Sequence, residues 1–258
     1  MAGSIAGKRC VIVGGTSGIG LAAAELFLQE GANLVVGGRS PLAEGDSERL
    51  SALGLSACLA GEAADAAFVE QLFEAAKDRL GGLDVVFHVA GSSGRGHGDG
   101  PLHECTDDGW NHTLRANLTS VFLSNRAAIR TFRAQGSGGV ILNLASVLSL
   151  SPAPPLFDTI AYTAAKGAII SLSRLAAARY AAEGIRVNVI APGLVDTPMS
   201  LRAMQDPAIQ AFLREKQPLA SGACQPTDIA QAALFLCGES ARMITGAVLA
   251  VDAGWSVS

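Results

Sequence analysis

The fold is decided by the stretch Val11-Ile12-Val13-Gly14-Gly15-Thr16-Ser17-Gly18-Ile19-Gly20. A short β-branched run leads into a glycine-rich turn, and a helical apolar pattern begins directly after that turn. Gly14 permits the tight bend, Gly18 lets backbone N–H groups approach a pyrophosphate, and Gly20 allows the helix to pack on the strand. A purely structural turn is the alternative. The stretch predicts a dinucleotide-binding strand, turn and helix.

On both sides of this stretch, apolar runs alternate with helical patterns along the chain, which predicts a parallel sheet covered by helices on both faces. No fixed repeat and no Pro/Ser linker divides the sequence. We therefore predict a single-domain α/β Rossmann fold over residues 1–258, with a doubly wound seven-stranded parallel sheet. The predicted strands are Cys10–Gly14, Asn33–Gly37, Leu55–Leu59, Leu83–Val89, Gly139–Leu144, Arg186–Ile190 and Ala247–Val251, and the clearest predicted helices are Ile19–Gln29, Ala66–Arg79, Trp110–Ala134, Ile160–Ala182 and Thr227–Cys237.

Two stretches break this alternation. Gly91–Gly100 is crowded with glycine and serine, and Ala191–Gly222 is a long insert with its own short helical pattern. Doubly wound sheets bind ligands in the loops at the carboxyl ends of their strands. We therefore expect a substrate loop at about residues 194–222.

Composition excludes several classes of protein. The 258 residues are 49% hydrophobic, and 19 basic against 23 acidic residues give a net charge of −4 with no basic block. Intrinsic disorder and nucleic-acid binding are therefore not expected. No run reaches the roughly 18 apolar residues of a membrane span, and the first residues do not resemble a signal peptide. The five cysteines form no metal-like pattern, so we expect a cytoplasmic protein with reduced thiols and no membrane partner.

The second predicted strand bears on the choice of cofactor. It ends in Val36-Gly37-Gly38-Arg39-Ser40, without the acid that usually holds the ribose 2′-hydroxyl of NAD. A guanidinium at this place can pair with a 2′-phosphate, so the sequence favours NADP(H), with NAD(H) as the alternative. In the competing interpretation Arg39 stacks on adenine or lies in solvent.

A tyrosine and a lysine stand one helical turn apart. Tyr162 and Lys166 are separated by four residues, so both side chains lie on one face of the predicted helix. A phenol has an ordinary pKa near 10, and a nearby cation would favour its ionised form. Upstream, Ser146 follows a predicted strand at its carboxyl end, where ligands bind.

Taken together, the glycine turn, Asn117, Ser146, Tyr162 and Lys166 resemble the short-chain dehydrogenase/reductase family, in the same order and over nearly the whole chain. The resemblance implies an NAD(P)-dependent oxidoreductase that moves hydride between the nicotinamide and a carbonyl or secondary alcohol. In that family the tyrosine is the general acid/base, and the lysine tunes it and holds the nicotinamide ribose. The serine binds the substrate oxygen and the asparagine supports a water relay.

Other segments resemble the cofactor contacts of the family. Ala191–Thr197 resembles the Pro-Gly turn beside the nicotinamide, Glu62 stands where an aspartate normally meets the adenine amine, and Asp252–Gly254 resembles a structural C-terminal turn. No metal is implied. The implied cofactor contacts are Gly14, Thr16, Ser17, Gly18, Ile19, Gly20, Arg39, Glu62, Ala90, Gly91, Tyr162, Lys166, Pro192, Gly193, Val195 and Thr197.

The sequence also departs from the family pattern. Val13 replaces a threonine before the glycine turn, and His88-Val89-Ala90-Gly91 replaces Asn-Asn-Ala-Gly. Ser146 and Tyr162 are farther apart than usual, with the added length in Ser151–Asp158, which is expected to reshape the substrate mouth. His88, His97, His103 and His112 match no strong zinc pattern and are interpreted as ordinary histidines.

The sequence restricts the substrate and the oligomeric state less than it restricts the fold. A hydrophobic ketone, a diketone, a sugar and an acyl thioester remain open, and the expected mouth shows apolar residues but no fixed charge. A binding or regulatory protein on the same fold and a methyltransferase are alternative functions, although neither needs the Tyr162/Lys166 pair. The family habit and the apolar faces of Trp110–Ala134 and Ile160–Ala182 imply a homodimer or homotetramer.

Overall fold

The computed structural model describes residues 5–258, and a seven-stranded parallel sheet runs through its centre. The strand order is β3-β2-β1-β4-β5-β6-β7, which confirms the predicted doubly wound α/β fold. Val11 pairs with Val35 on one side and with Val86 on the other, so apolar residues are matched across the centre. The strands are β1 (Arg9–Val13), β2 (Asn33–Gly38), β3 (Ala57–Ala60), β4 (Val85–His88), β5 (Gly139–Leu144), β6 (Ile185–Pro192) and β7 (Val248–Val251).

Helices cover both faces of the sheet because its strands are apolar on both sides. The helices are α1 (Gly18–Gln29), α2 (Glu44–Ala52), α3 (Ala66–Leu80), α4 (Asp107–Leu114), α5 (Ser120–Gln135), α6 (Ile160–Tyr180), α7 (Leu201–Gln205), α8 (Pro207–Lys216) and α9 (Pro226–Cys237). Phe27 of α1 and Ala233 of α9 belong to the core on one face. Leu72 of α3 and Phe132 of α5 belong to the core on the other.

The sheet order places the ligand crevice. The chain starts at β1, moves outward to β3, and then returns to β4 on the other side of β1. Ligands of open α/β sheets bind at this switch point, at the carboxyl ends of the strands. The glycine turn follows β1 and the Gly91–Gly100 segment follows β4, so both open onto this crevice.

The helix predicted over Trp110–Ala134 is present, but a π-helical turn interrupts its regular α-helical hydrogen bonding. The structure has α4, a π-helical turn over Arg115–Thr119, and then α5. The amide of Asn117 donates to the Thr113 carbonyl at 2.9 Å, and the Ser120 hydroxyl donates to the Ala116 carbonyl at 2.7 Å. The two side chains thus occupy carbonyl groups that backbone N–H groups bind in a regular α-helix. The Ser120 N–H instead donates to the Arg115 carbonyl, five residues back.

Smaller differences concern element ends and short helices. The third strand begins at Ala57 rather than Leu55, and the fourth begins at Val85 rather than Leu83. Helix α2 was not predicted, since its sequence is mostly polar with Leu50 as its buried residue. The insert contains α7 and α8 as separate short helices.

No helix within residues 5–258 has the length and apolarity needed to cross a membrane.

Candidate active site

A cavity of about 440 Å³ opens at the carboxyl ends of the strands. Of the predicted catalytic and cofactor-binding residues, all except Gly20 line it. The structure therefore brings together segments that are far apart in sequence: the glycine turn, the ends of β2, β3 and β5, the segment after β4, the turn after β6, and the helical residues Asn117, Tyr162 and Lys166.

The glycine turn has the backbone geometry that its sequence predicts. Gly14 and Gly18 have positive φ angles of 94° and 52°. A Cβ on Gly20 would lie 1.9 Å from the carbonyl oxygen of Gly14, so this position has room for glycine alone. Ser17, which precedes α1, makes no side-chain cap, and the first turn of α1 holds no acidic residue. The turn therefore presents free N–H groups and the positive end of the helix dipole, which suits a pyrophosphate.

Arg39 and Glu62 lie at the same end of the cavity, and both side chains are exposed. No carboxylate among residues 5–258 forms an ion pair with Arg39, so its guanidinium is free to meet an anion. Gly38, at the position of the missing acid, is closely packed. A Cβ there would lie 2.1 Å from the Thr16 hydroxyl oxygen. The absence of an acid at this position is therefore built into the packing.

Helix α6 carries Tyr162 and Lys166, and the residue that caps its first turn is distant in sequence. Thr159 at the N-cap position makes no side-chain cap. Instead, Asp99 accepts the N–H groups of Ala161 and Tyr162, each at 3.0 Å. The Asp99 side chain is buried. Its two hydrogen bonds join the segment after β4 to the start of α6. Sequence reasoning did not identify Asp99.

The environment of Tyr162 differs from the expectation. Burial raises the pKa of Tyr162 above its ordinary value, and the Ser146 hydroxyl partly opposes this rise. In the protein without bound ligand, Lys166 is not among the groups that offset this rise in the pKa of Tyr162. The Lys166 ammonium lies 5.5 Å from the Tyr162 ring centre and donates to the Leu144 carbonyl at 2.9 Å. Burial also lowers the pKa of Lys166 to about 8.

Asn117 lies in the π-helical turn and is fully buried. Its side chain holds the segment after β4 from both directions, donating to the Ser92 carbonyl at 2.9 Å and accepting from the Ser92 N–H at 3.3 Å. A Cβ on Gly91 would lie 2.6 Å from the Asn117 amide oxygen and 3.5 Å from the Lys166 nitrogen. Asn117 is therefore a neighbour of Lys166 across Gly91.

His88 is buried at the end of β4. One ring nitrogen lies 2.7 Å from the Ser124 hydroxyl, and the other lies 3.2 Å from the Ala90 carbonyl. Burial, reinforced by the charge of Lys166, lowers the pKa of His88 to about 3. The ring is therefore neutral near pH 7, and it supports Ala90 and the turn after β4 where the family has asparagine.

The turn after β6 forms the opposite wall of the cavity. Gly193 approaches Gln217 so closely that a Cβ would lie 2.4 Å from the Gln217 amide oxygen. Val195 pairs with Cys224, and the Thr197 N–H donates to Ser200 at 2.9 Å. Thr197 also faces Gly18 across the cavity, since a Cβ on Gly18 would lie 3.2 Å from the Thr197 methyl group.

Apolar side chains surround Ser146 and Tyr162 where a substrate would enter. The added segment contributes Phe157, whose ring packs edge-on against Trp255 with centres 5.4 Å apart. Sequence reasoning missed Trp255, which reaches this cluster from the end of the chain. The expectation of a mouth without fixed charge is also wrong, because Arg95 and Arg202 line it. Both arginines lie in the segments that interrupted the alternation, which was the signal available in the sequence.

Comparison with known proteins identifies the family. A family model described as enoyl-(acyl carrier protein) reductase matches residues 13–256. The chain is 34% identical over 257 residues to cis-4-hydroxycyclohexanecarboxylate dehydrogenase of Sinomonas cyclohexanicum, covering 99% of each. It is 34% identical over 260 residues to 2,5-dichloro-2,5-cyclohexadiene-1,4-diol dehydrogenase of Sphingobium indicum, covering 100% of this chain and 99% of the relative.

A solved structure agrees with this assignment. The short-chain type dehydrogenase/reductase of Mycobacterium ulcerans superposes with a TM-score of 0.89 at 27% identity, covering 98% of this chain and 91% of the other. The chain belongs to the short-chain dehydrogenase/reductase family. It is an oxidoreductase of the kind that uses a nicotinamide cofactor.

Proposed function

We propose that this protein is an NADP(H)-dependent oxidoreductase that interconverts a ketone and a secondary alcohol. The observation that carries the proposal is the single cavity that joins the glycine turn to Ser146, Tyr162 and Lys166. A regulatory protein that only senses a dinucleotide would have no use for a partly buried tyrosine and a buried lysine in the wall of that cavity.

In this proposal Tyr162 is the general acid/base. During reduction its phenol donates a proton to the substrate oxygen, and during oxidation its phenolate removes a proton from the alcohol. Ser146 donates a hydrogen bond to the same oxygen and orients it. Since burial keeps Tyr162 protonated near pH 7, the resting phenol is prepared for the reductive direction.

Lys166 and Asn117 support this proton transfer. When Tyr162 ionises, the Lys166 ammonium, 5.5 Å from the centre of its ring, stabilises the phenolate by its charge. Lys166 would also hold the nicotinamide ribose, and Asn117, which fixes Ser92 next to Gly91, supports the relay of protons. A bound nicotinamide supplies or accepts the hydride.

The remaining predicted contacts hold the cofactor. The N–H groups of the turn at Gly14–Gly20 bind its pyrophosphate, as proposed for such helix N-termini. Arg39, with the hydroxyls of Thr16 and Ser17, binds the 2′-phosphate. Glu62 meets the adenine. Ala90, Gly91, Pro192, Gly193, Val195 and Thr197 line the nicotinamide half, and residues 194–222 act as the substrate loop of a single domain.

The names of two relatives suggest the substrate class. One acts on a hydroxycyclohexanecarboxylate and the other on a cyclohexadiene diol. We infer that this protein also acts on a hydroxyl or keto group of a six-membered ring. The apolar walls formed by Val147, Leu148, Phe157 and Trp255 suit the ring.

A screen of cyclic ketones and alcohols tests this function, following NADPH and NADH absorbance in separate wells. We expect cyclohexanone derivatives to oxidise NADPH faster than open-chain aldehydes do. The Tyr162→Phe variant run in parallel controls for contaminating reductases. No turnover of any ketone or alcohol by a protein that binds the cofactor would contradict the proposal.

We further propose a homodimer or homotetramer. Phe122 of α5 and Leu175 of α6 are exposed by 46% and 73% on helices that already pack their opposite faces on the sheet. Pairing of these faces would steady the helix that carries Tyr162. Light scattering at micromolar concentration should give two or four chains, and a monomer mass would contradict it.

We also propose that the protein is cytoplasmic. Its five cysteines, which all lie within residues 5–258, are free thiols, and a reducing compartment would keep them so.

A further inference from the structure

The charges that line the cavity are unevenly distributed. Arg39 and Glu62 lie at the end beside the glycine turn, and Lys166 is occupied by the Leu144 carbonyl. Around the substrate entrance the charged side chains are Arg95 and Arg202. Within residues 5–258, Glu62 is the only acidic residue of the lining, so the entrance carries positive charge without a carboxylate in its wall.

Arg95 is held at this entrance by a single hydrogen bond. It lies on the short turn Arg95–His97, and one guanidinium nitrogen donates to the Leu156 carbonyl at 3.1 Å. Burial and the charge of Arg202 lower the pKa of Arg95, while Asp99 and Asp158 act in the opposite direction. Both carboxylates act on Arg95 through their charge without forming an ion pair with it, and that of Asp99 already accepts two backbone N–H groups.

Arg202 approaches the entrance from the other wall. It lies on α7, next to Ala203, which packs in the cluster that contains Val147, Leu148 and Trp255. No residue in the described chain, from Ile5 onward, forms a hydrogen bond or an ion pair with its guanidinium. Two guanidinium groups thus share one apolar entrance and repel each other, an arrangement that a bound anion would relieve.

We propose that the substrate of this protein is a carboxylate, whose anionic group binds between Arg95 and Arg202 while its keto or hydroxyl group faces Ser146 and Tyr162. This inference rests on the proposed function and adds a specificity rule to it. Guanidinium groups recognise a carboxylate through paired hydrogen bonds, which fixes direction as well as charge. The apolar walls between the two ends then receive the ring.

A matched pair of ketones tests this rule. The probes are 4-oxocyclohexanecarboxylate and its neutral carboxamide, which differ at the group expected between the arginines. We expect the wild-type kcat/KM to favour the carboxylate by at least tenfold. Arg202→Gln and Arg95→Gln should each reduce this ratio at least threefold, and the double variant should bring it close to one.

The carboxamide separates this inference from the proposed function, because its turnover should change less than threefold in these variants. Arg214→Gln is the matched control, since this exposed arginine on α8 lies outside the cavity lining. A ratio that is unchanged in the double variant overturns the inference and leaves the oxidoreductase proposal standing. A loss of affinity for NADPH and NADH without a change of the ratio also overturns the inference, because the arginines would then bind the cofactor.

If neither ketone is turned over, calorimetry still tests whether the two arginines bind a carboxylate. Titrating the carboxylate into the cofactor-loaded protein should give binding that weakens at least tenfold in the double variant. Absence of binding to the wild type overturns the inference.

Discussion

The carboxylate of Asp99 accepts the backbone N–H of Tyr162 at 3.0 Å, across 63 residues of sequence. Asp99 follows β4, and Tyr162 lies in the first turn of α6. The orientation of the proposed acid/base therefore depends on a residue that touches neither the substrate nor the cofactor, so Asp99 is a positioning residue.

Replacing Asp99 tests this dependence. Asn in its place keeps one acceptor oxygen but turns an N–H₂ group toward the second backbone N–H, leaving a buried donor unpaired. We expect Asp99→Asn to lower the free energy of unfolding by about 1–3 kcal/mol and to lower kcat with little change in KM. Urea unfolding and steady-state kinetics measure the two effects. Asp65→Asn, which alters the cap of α3, should affect stability alone. An unchanged kcat in the Asp99 variant would show that α6 holds Tyr162 without this cap.

Removing the phenol hydroxyl tests the acid/base role. Tyr162→Phe should lower kcat by about 10²–10⁴-fold, because positioned proton transfer contributes that much. The dissociation constant for NADPH, measured by fluorescence titration, should stay within twofold. Tyr180→Phe is the matched control, since Tyr180 is the other tyrosine of the chain and ends the same helix. A Tyr162 variant that retains more than half of the wild-type kcat would exclude the role.

Lys166 gives a prediction about pH. Its pKa is about 8 in the folded protein against 10.5 ordinarily, so between these values the unfolded chain holds one more proton than the folded chain. The stability of the wild type should therefore rise with pH in this range, by about 1.4 kcal/mol per pH unit relative to Lys166→Met. Denaturant unfolding from pH 7 to pH 10.5 measures the difference. The control is Lys77→Met, at an exposed position, whose curve of stability against pH should run parallel to that of the wild type. If the curve of Lys166→Met also runs parallel to that of the wild type, Lys166 keeps its ordinary pKa.

Arg39 decides the proposed preference for NADP(H). A charge-assisted hydrogen bond contributes roughly 1.5–3 kcal/mol, or about one to two decades of affinity. Arg39→Gln should weaken NADPH binding by that factor and change NADH binding less than threefold, as measured by calorimetry. Arg79→Gln on the exposed face of α3 serves as the control. An equal loss for both cofactors would mean that Arg39 stacks on the adenine.

Gly38 sets a limit on changing that preference. A Cβ at this position would collide with Thr16, so Gly38→Asp alone should weaken the binding of both cofactors. Adding Thr16→Ala removes the nearest atoms, and the double variant should bind NADH better than NADPH. Thr16→Ala by itself is the control for lost hydroxyl contacts. A single Gly38→Asp variant with wild-type stability and NADH preference would show that Thr16 moves aside at little cost.

These residues also show where prediction from the sequence succeeds. The sheet, the glycine turn and the helix of Tyr162 follow local rules, because their signals are periodic or lie within one turn of helix. The cap from Asp99 and the packing of Trp255 on Phe157 depend on how distant segments meet, and no local pattern contains that information. For the two arginines at the entrance, the interrupted alternation marked the segments that carry them, but their meeting in one entrance also depends on how distant segments pack. The π-helical turn at Asn117 escaped because its apolar periodicity resembles a continuous helix.

The segment after β4 is held at Ser92 and at Asp99, and the short turn between these two points faces solvent. Asn117 fixes Ser92, and Asp99 is fixed to α6, whereas Arg95, Gly96 and His97 are exposed and Gly96 has open space around its Cα. Substitutions in this interval can change what the entrance attracts without moving the acid/base. The residues that hold this segment, Asn117 and Asp99, are therefore different from the exposed residues 95–97 that face the entrance.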